Sequence, residues 1–499
     1  MSSDILYDLI FIGSGPGGYH GAIRASSYGA KVALIEKYER FGGTCSNWGC
    51  IPTKALYSSA RLIAEIKKKS KKFGININGG MTLDFSKVVE HKNNVVKELT
   101  SGIAQLLKMK KVAIFNGFGS LLKGDIYNNF EVLVKNGETE TIIKGKRVIL
   151  ATGSAPADIP VFNIDHKQIL NSDDILDYKR GLTEAPKSLI IIGGGVIGCE
   201  FANIFAEFGT KVTILEYLPR ILATEEKIIV KQLKKEFNHL GIEICEGKNV
   251  LSVKSDGVEV TAVTCDATIP RDQLKDAETQ IFKAEKCLVS IGRIKVSEGL
   301  GLEKFNINLL RGAIPVNRET METPFTGIYA IGDCTGLLML AHFASHQADI
   351  AVINSLSSIG GFEDVFPQKV DFSTVPATIF THPNIGSVGL RHKEAKEKYG
   401  ELLVGRFSYA SSGKAKCMDE EDGMLMVIVN KWTDKIVGAS CIGEAAPELI
   451  SEISVAMRLG ITAHQLTSVI HSHPTLSEIV LEAVEDVHGM AIHKAGRRR

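Results

Sequence analysis

Cys45 and Cys50, in the block Gly42-Gly43-Thr44-Cys45-Ser46-Asn47-Trp48-Gly49-Cys50-Ile51-Pro52, are the residues whose type and spacing most directly suggest chemistry. Thiols exchange with disulfides, and the thiolate is the attacking form. On a regular helix, residues five apart have Cα atoms about 8–9 Å from each other. A disulfide spans roughly 4.4–6.8 Å. Gly42, Gly43 and Gly49 are what a distorted first turn would need to close that gap. A thiol at a helix N-terminus also has its thiolate stabilised by the helix dipole, so such a pair would be reactive as well as bridgeable. The alternative is a pair of inert, buried cysteines. The other seven, Cys199, Cys245, Cys265, Cys287, Cys334, Cys417 and Cys441, are scattered. They form neither a disulfide framework nor a metal-ligand spacing, so no metal is expected.

The elements that must position this pair are announced by an internal repeat. Residues 9–36 and 189–216 share 11 identities in 28, with Gly13, Gly15, Gly18 and Glu36 in register with Gly193, Gly195, Gly198 and Glu216. Each copy reads as a buried strand, a Gly-rich turn, an amphipathic helix ending near Gly29 or Gly209, and a second strand that ends in an acid. A GxGxxG that follows a strand, opens a helix and has an acid 18 residues beyond its last glycine signals a dinucleotide site. The glycines admit a pyrophosphate to the helix N-terminus, and the acid accepts hydrogen bonds from a ribose. Two copies imply two dinucleotides. Glu216, in Glu216-Tyr217-Leu218-Pro219-Arg220, would repel a 2′-phosphate, which favours NAD over NADP.

Two more apolar strands end in polar turns: Val148-Ile149-Leu150-Ala151-Thr152-Gly153 and Ile328-Tyr329-Ala330-Ile331-Gly332-Asp333. After about residue 362 the pattern changes. Val375–Pro383 and Met424–Asn430 read as strands of an α+β unit, and Pro447–Leu459 as an amphipathic helix.

At 499 residues the chain exceeds one hydrophobic core, and its 44% apolar, 23% charged composition with 48 glycines suits a Gly-turn-rich α/β protein. A net charge of +1 gives no global field toward nucleic acid or anionic membrane. No apolar run reaches the ~18 residues of a membrane span. The first strand starts within a few residues of Met1, so the expected location is the cytoplasm, or an organelle matrix after removal of a presequence. The run Lys67–Lys72 reads as a solvated helix face, and Arg497-Arg498-Arg499 as a tail.

Taken together, these motifs resemble the pyridine nucleotide–disulfide oxidoreductases over essentially the whole chain. The pieces are Gly13-x-Gly15-x-x-Gly18, the Cys45–Cys50 block, Ala151-Thr152-Gly153, Gly193-x-Gly195-x-x-Gly198, Gly332-Asp333 and His471-Ser472-His473-Pro474-Thr475-Leu476-Ser477-Glu478. The resemblance implies an α/β fold with an FAD-binding domain (1–157), an NAD-binding domain (158–288), a central domain completing the FAD site (289–361) and an α+β interface domain (362–499). It places Glu36 on the adenosine ribose of FAD, Asp333 on its ribitol and Glu216 on the ribose of NAD. Gly43, Thr44, Ala151, Thr152, Gly153, Gly292 and Ala341 become cofactor contacts. Lys54 and Glu200 match an ion pair beside the flavin; read alone, they would be solvated helix charges.

By the same resemblance a dithiol, dihydrolipoamide carried on lipoyl domains of a multienzyme complex, would attack a Cys45–Cys50 disulfide. Cys45 would be the exchange sulfur and Cys50 the thiolate facing the flavin, with electrons leaving through FAD to NAD⁺. His473 is then the base, held extended by Pro474 and oriented by Glu478. Thr475-Leu476-Ser477-Glu478 is also a capping box, so Glu478 could serve the helix N-terminus, the base, or both. His471 reads as structural. The pair would reach the active site of a partner subunit, which implies a homodimer. Departures from the family pattern are Trp48, His20, Gly292-Arg293-Ile294-Lys295 and Ser411-Ser412-Gly413-Lys414. Two other readings are a further disulfide reductase of the same family and a catalytically silent flavoprotein scaffold.

Overall fold

The computed structural model describes residues 2–494; Met1 and residues 495–499, with the Arg497–Arg499 tail, lie outside the described residues. The repeat seen in the sequence becomes two parallel sheets. In the first, the strand Ser2–Ile12 lies between Val32–Glu36 and Thr139–Leu150, with Ala113–Asn116 and Ile328–Ala330 on the outer flanks. The N-terminal half of Thr139–Leu150 runs on into an antiparallel extension with Asn129–Asn136 and Phe118–Asp125. The fingerprint loop thus sits where chain connections leave the central strand in opposite directions, the usual place for a ligand in an open α/β sheet.

The second sheet repeats the design with Glu243–Cys245, Lys211–Leu215, Ser188–Ile192, Lys286–Val289 and Ile169–Leu170, all parallel. A three-stranded antiparallel sheet, Lys248–Ser255, Val260–Asp266 and Gln280–Ala284, packs beside it. Leu9, Ile10, Phe11 and Leu34 in one sheet, and Ile190, Ile191 and Ile214 in the other, are fully buried. Strands covered on both faces read as continuous apolar runs, as these do. The helices Pro16–Ser27 and Val196–Glu207 end just before Gly29 and Gly209, whose φ values of +87° and +95° are left-handed, as the sequence predicts.

The C-terminal unit is a five-stranded antiparallel sheet ordered Ala377–Ile379, Asn384–Gly389, Ile436–Gly443, Met424–Asn430, Leu402–Ser408. The helices Ala446–Arg458 and Glu478–Val487 share its core through Ile450, Ile453, Ile479, Val480 and Ala483. The expected strand Met424–Asn430 forms as read and the amphipathic helix within a residue of its predicted ends, whereas the strand expected over Val375–Pro383 is confined to Ala377–Ile379. No described helix is long and apolar enough to cross a membrane.

One expectation holds only in part. Lys67, Lys68, Lys71 and Lys72 are exposed, as a solvated face would be, but the run Lys67–Lys72 is also paired within the chain. Lys69 pairs with Glu420, Lys72 with Asp419, and Lys68 Nζ lies 3.8 Å from Asp422, while Lys67 Nζ donates to the Glu207 carbonyl at 3.0 Å. An acidic run, Asp419–Asp422, distant in sequence, was the partner that local reading could not see. Glu420 is 5% exposed and also faces His382 Nε2 at 3.6 Å. Burial opposes its ionisation, but hydrogen bonds and charge from His382 and Lys69 bring the carboxyl down to about 2. A carboxyl depressed below its unfolded value adds stability above that value and loses it as pH falls. Glu420→Gln should therefore destabilise the protein by about 2–3 kcal/mol near neutral pH. The difference from the parent should shrink below about pH 4 and vanish near pH 2, as measured by denaturant unfolding at each pH.

Candidate active site

The cysteine pair is positioned by a break in the helix. Cys45 lies in the short helix Gly43–Trp48, and Cys50 opens the helix Cys50–Lys69; Gly49, at φ −136° and ψ −115°, separates them. The sequence suggested one distorted first turn; two helices meeting at Gly49 serve the same end. Cys45 is half-buried and Cys50 lies at the surface. They are in hydrogen-bonding contact. That contact, aided by the charge of Lys54 and opposed by burial, brings Cys50 down to about 7. The same contact, with burial, pushes Cys45 far up. A thiolate at Cys50 has its charge favoured by the N-terminus of the helix it opens and by Lys54 one turn along.

Lys54, one turn further along, donates to both carboxylate oxygens of Glu200 at 2.9 and 2.7 Å. Glu200 is buried in the second fingerprint helix and also accepts from the Phe380 amide at 2.9 Å, while Lys54 Nζ lies 4.4 Å from the Phe380 ring centre. Read alone, these would have been solvated charges; instead they form a buried tie between the repeats.

The first glycine loop is held from below. Glu36 accepts from the amide and hydroxyl of Ser14, at 2.8 and 2.6 Å, and from the Tyr38 amide at 2.9 Å. Glu216 repeats this with the amides of Gly194 (2.5 Å) and Leu218 (2.6 Å). The glycines divide by role. A Cβ on Gly13 or Gly193 would collide with the backbone of Ala151 or Ser290, and one on Gly18 or Gly198 with the preceding loop carbonyl. A Cβ on Gly15 or Gly195 would meet nothing within 4 Å. The protein itself does not require the middle glycine of either loop. A phosphate brought against the backbone does, and both cradles fit a pyrophosphate.

The remaining candidates converge on the first cradle. Gly43 (φ +55°) packs on Gly15, and the Gly42 amide donates to the Ser14 carbonyl at 2.9 Å. The Ala151 amide bonds Ile12 O at 2.8 Å, and Thr152 Oγ1 bonds Val296 O at 2.5 Å. Gly153 O accepts from the Val296 amide, and Gly292 O from Ala157. Ala341 starts the helix Ala341–Leu356. Asp333, in the turn Gly332–Thr335, accepts the Ser154 hydroxyl at 2.6 Å.

Sequence reading missed Ser154 and Arg293. The Arg293 guanidinium donates to Ser154 Oγ (2.7 Å), Ser154 O (2.8 Å) and Thr44 Oγ1 (3.4 Å), so it links the redox loop to Asp333. Its place after Gly292, where the segment departs from the family pattern, was the available signal. His20, another departure, is used structurally: its Nε2 lies 2.9 Å from Asp349, which Arg24 also holds. Trp48 packs edge-on to Tyr38, with ring centres 4.9 Å apart.

His473 and Glu478 meet as expected: His473 Nδ1 is 2.9 Å from Glu478 Oε1. The other oxygen accepts the Thr475 amide at 3.0 Å, so one carboxylate both orients the imidazole and ties down the turn that leads into the helix. The expected capping box does not form: the helix starts at Glu478 with Ser477 as its N-cap and no side-chain cap, and the Thr475 hydroxyl turns to Ser472 O. Burial opposes ionisation of Glu478, yet the bonds from His473 and Thr475 hold it below the ordinary carboxylate range. The His473 side chain is 78% exposed on the C-terminal unit. Among the described residues no hydrogen bond joins it to the cysteines of its own chain. His471 is structural, held between Glu452 (2.8 Å) and Val469 O (2.9 Å).

Residues 7–348 match the family model described as pyridine nucleotide-disulphide oxidoreductase, and residues 375–484 match that family's dimerisation domain. The dihydrolipoyl dehydrogenase of Bacillus subtilis (strain 168) is 39% identical over 491 residues, covering 98% of this chain and 99% of its own length. The mitochondrial dihydrolipoyl dehydrogenase of Schizosaccharomyces pombe is 34% identical, covering 96% and 89%. Among solved structures, LpdA from Mycobacterium tuberculosis superposes with a TM-score of 0.85 at 25% identity, covering 96% and 99%. The HOCl-induced flavoprotein disulfide reductase RclA from Escherichia coli gives 0.80 at 26%, covering 96% and 99%. The chain belongs to the pyridine nucleotide-disulphide oxidoreductases. It is an oxidoreductase that uses FAD and NAD.

The division among the glycines has a direct test. Gly15→Ala should fold with unchanged thermal stability as apoprotein but be isolated with much less flavin. Gly195→Ala should keep its flavin and raise the KM for NAD⁺ about tenfold or more, read from flavin absorbance and initial rates.

Proposed function

We propose that this chain oxidises dihydrolipoamide, borne on the lipoyl domains of a multienzyme complex, to lipoamide with NAD⁺ as the final acceptor. The observation that carries the reading is the placement of the cysteine pair: Cys45 and Cys50 meet across the break at Gly49, and Cys50 opens its helix one turn from the Lys54–Glu200 ion pair. In exchange, the sulfur with the lower pKa leaves faster. A substrate thiolate attacking Cys45 of the oxidised pair breaks the S–S bond and releases Cys50 as thiolate. The second substrate thiolate then displaces Cys45, and the electron pair now resides in the Cys45–Cys50 dithiol. The ammonium of Lys54 and the helix N-terminus at Cys50 hold the resulting negative charge. When bound, FAD supplies the two-electron relay between this dithiol and NAD⁺.

His473 takes the proton from each attacking substrate thiol at its Nε2, because Nδ1 is committed to Glu478. In this reading the His473–Glu478 pair of one subunit serves the cysteines of its partner in a homodimer. The residues named above in the two cradles hold FAD and NAD, and residues 1–157, 158–288, 289–361 and 362–499 are the FAD, NAD, central and interface units. Glu216, with both oxygens already tied to backbone amides, disfavours a 2′-phosphate and with it an NADP-linked reductase.

Purified protein should turn over NAD⁺ with dihydrolipoamide far faster than NADPH with oxidised glutathione; the reverse ranking would retire this reading. Cys45→Ser should abolish lipoamide turnover, by at least 10³-fold on the order of a lost nucleophilic group, while flavin content stays at the parental level.

A further inference from the structure

The helix Glu478–Val487 carries a second acid one turn after Glu478, on the same face. This is Glu482, 7% exposed, and it too holds a histidine. The chain reverses at Gly489 (φ +71°), and the Met490 amide returns to the Glu485 carbonyl at 3.0 Å. Glu482 Oε2 then accepts the amides of Ile492 (3.0 Å) and His493 (3.2 Å), while Oε1 meets His493 Nδ1 at 2.5 Å. Lys494 fastens the segment's end to Asp486 (2.5 Å) and to the Arg406 carbonyl (2.7 Å), and His488 Nε2 lies 3.0 Å from Asp434. A C-terminal strap is thereby stitched back along the helix that orients the proposed base.

Three histidines and four acids share this region. His473 pairs with Glu478, His493 with Glu482, and His471 with Glu452; Glu485 faces both His493 and His471. The hydrogen bond that His493 donates to Glu482 raises the imidazole above its ordinary value, and the charges of Glu482, Glu478 and Glu485 add to this. Its positive charge in turn helps hold Glu478 below the ordinary carboxylate range.

Resting on the assignment of His473 and Glu478 as the base pair, we propose that the strap 488–494 tunes that pair from outside the catalytic site. His493 is a positioning residue that, when protonated, holds a positive charge on Glu482, one helical turn from Glu478. That charge competes with His473 for the Glu478 carboxylate. It makes the base release its proton more readily and keeps it free to accept one from substrate at lower pH. The device acts through the Glu478–Val487 helix and touches neither substrate nor cofactor.

The test is the pH profile of kcat/KM for dihydrolipoamide oxidation by the holoenzyme in His493→Gln, His493→Lys and His473→Gln. His493→Gln keeps a donor for Glu482 but removes the charge. Its acidic limb should move up by about 0.3–0.5 pH unit at low salt, a loss of about two- to threefold on that limb. The shift should shrink at 0.5 M salt. His493→Lys should restore the parental profile, and NADH-driven reduction of a quinone acceptor should be unchanged in both His493 variants. An unshifted profile in His493→Gln, or a shift that His493→Lys leaves uncorrected, overturns the strap's role. Full activity in His473→Gln would overturn the base assignment itself, and the strap's role with it.

Discussion

A methyl group on Gly43 would lie 2.6 Å from the Cα of Gly15. That backbone-on-backbone contact joins the loop bearing the cysteines to the loop shaped for a pyrophosphate, and the rest of the site is built on it. The Gly42 amide bonds Ser14, whose own amide and hydroxyl are held by Glu36. From this fixed start the short helix Gly43–Trp48 has one course, and the break at Gly49 brings Cys50 to a fresh helix N-terminus beside Cys45. Any side chain at Gly43 would have to displace backbone that the other contacts hold in place.

The helix Cys50–Lys69 then works as a beam between units. Along it Lys54 engages Glu200, Tyr57 bonds Asn384 (3.1 Å), Arg61 grips both oxygens of Glu444 (2.8 Å each) and Lys69 meets Glu420. Isolated surface ion pairs contribute little to stability, but pairs drawn into a boundary between units are costly to break singly, because the remaining charge is stranded. The redox end of the helix is thereby tied to the nucleotide-binding repeat, and its far end to the C-terminal sheet. Motion of either would be felt at Cys50.

The acids at the ends of corresponding strands show how one local device is used twice. Glu36 and Glu216 each spend hydrogen-bonding capacity on the glycine loop of their own repeat. They therefore fix the loop's shape as well as standing where a ribose would be read. The C-terminal helix repeats another device, an acid that holds a histidine, at Glu478 and Glu482. In the first of these the carboxylate also holds the Thr475 amide, so orientation of the base and the shape of the turn before the helix are one interaction.

Much of this was open to reading from the residues. The glycine spacings, the following acids, the CxxxxC block and the His473–Glu478 interval are local patterns, and local patterns carry local geometry. The buried strands were visible for the same reason, through continuous apolar runs such as Leu189–Ile192. Contacts between distant segments carried no such signal. Asp419–Asp422 beneath Lys67–Lys72, Arg293 bridging Thr44 and Ser154, and His493 returning to Glu482 all join charges that sequence alone shows only as solvated or scattered. Sequence determined which chemistry the chain holds, because thiols, glycine loops and acids declare it by type and spacing. Tertiary structure decided which loops meet and which charges are paired, because those depend on distances between groups brought together only by packing.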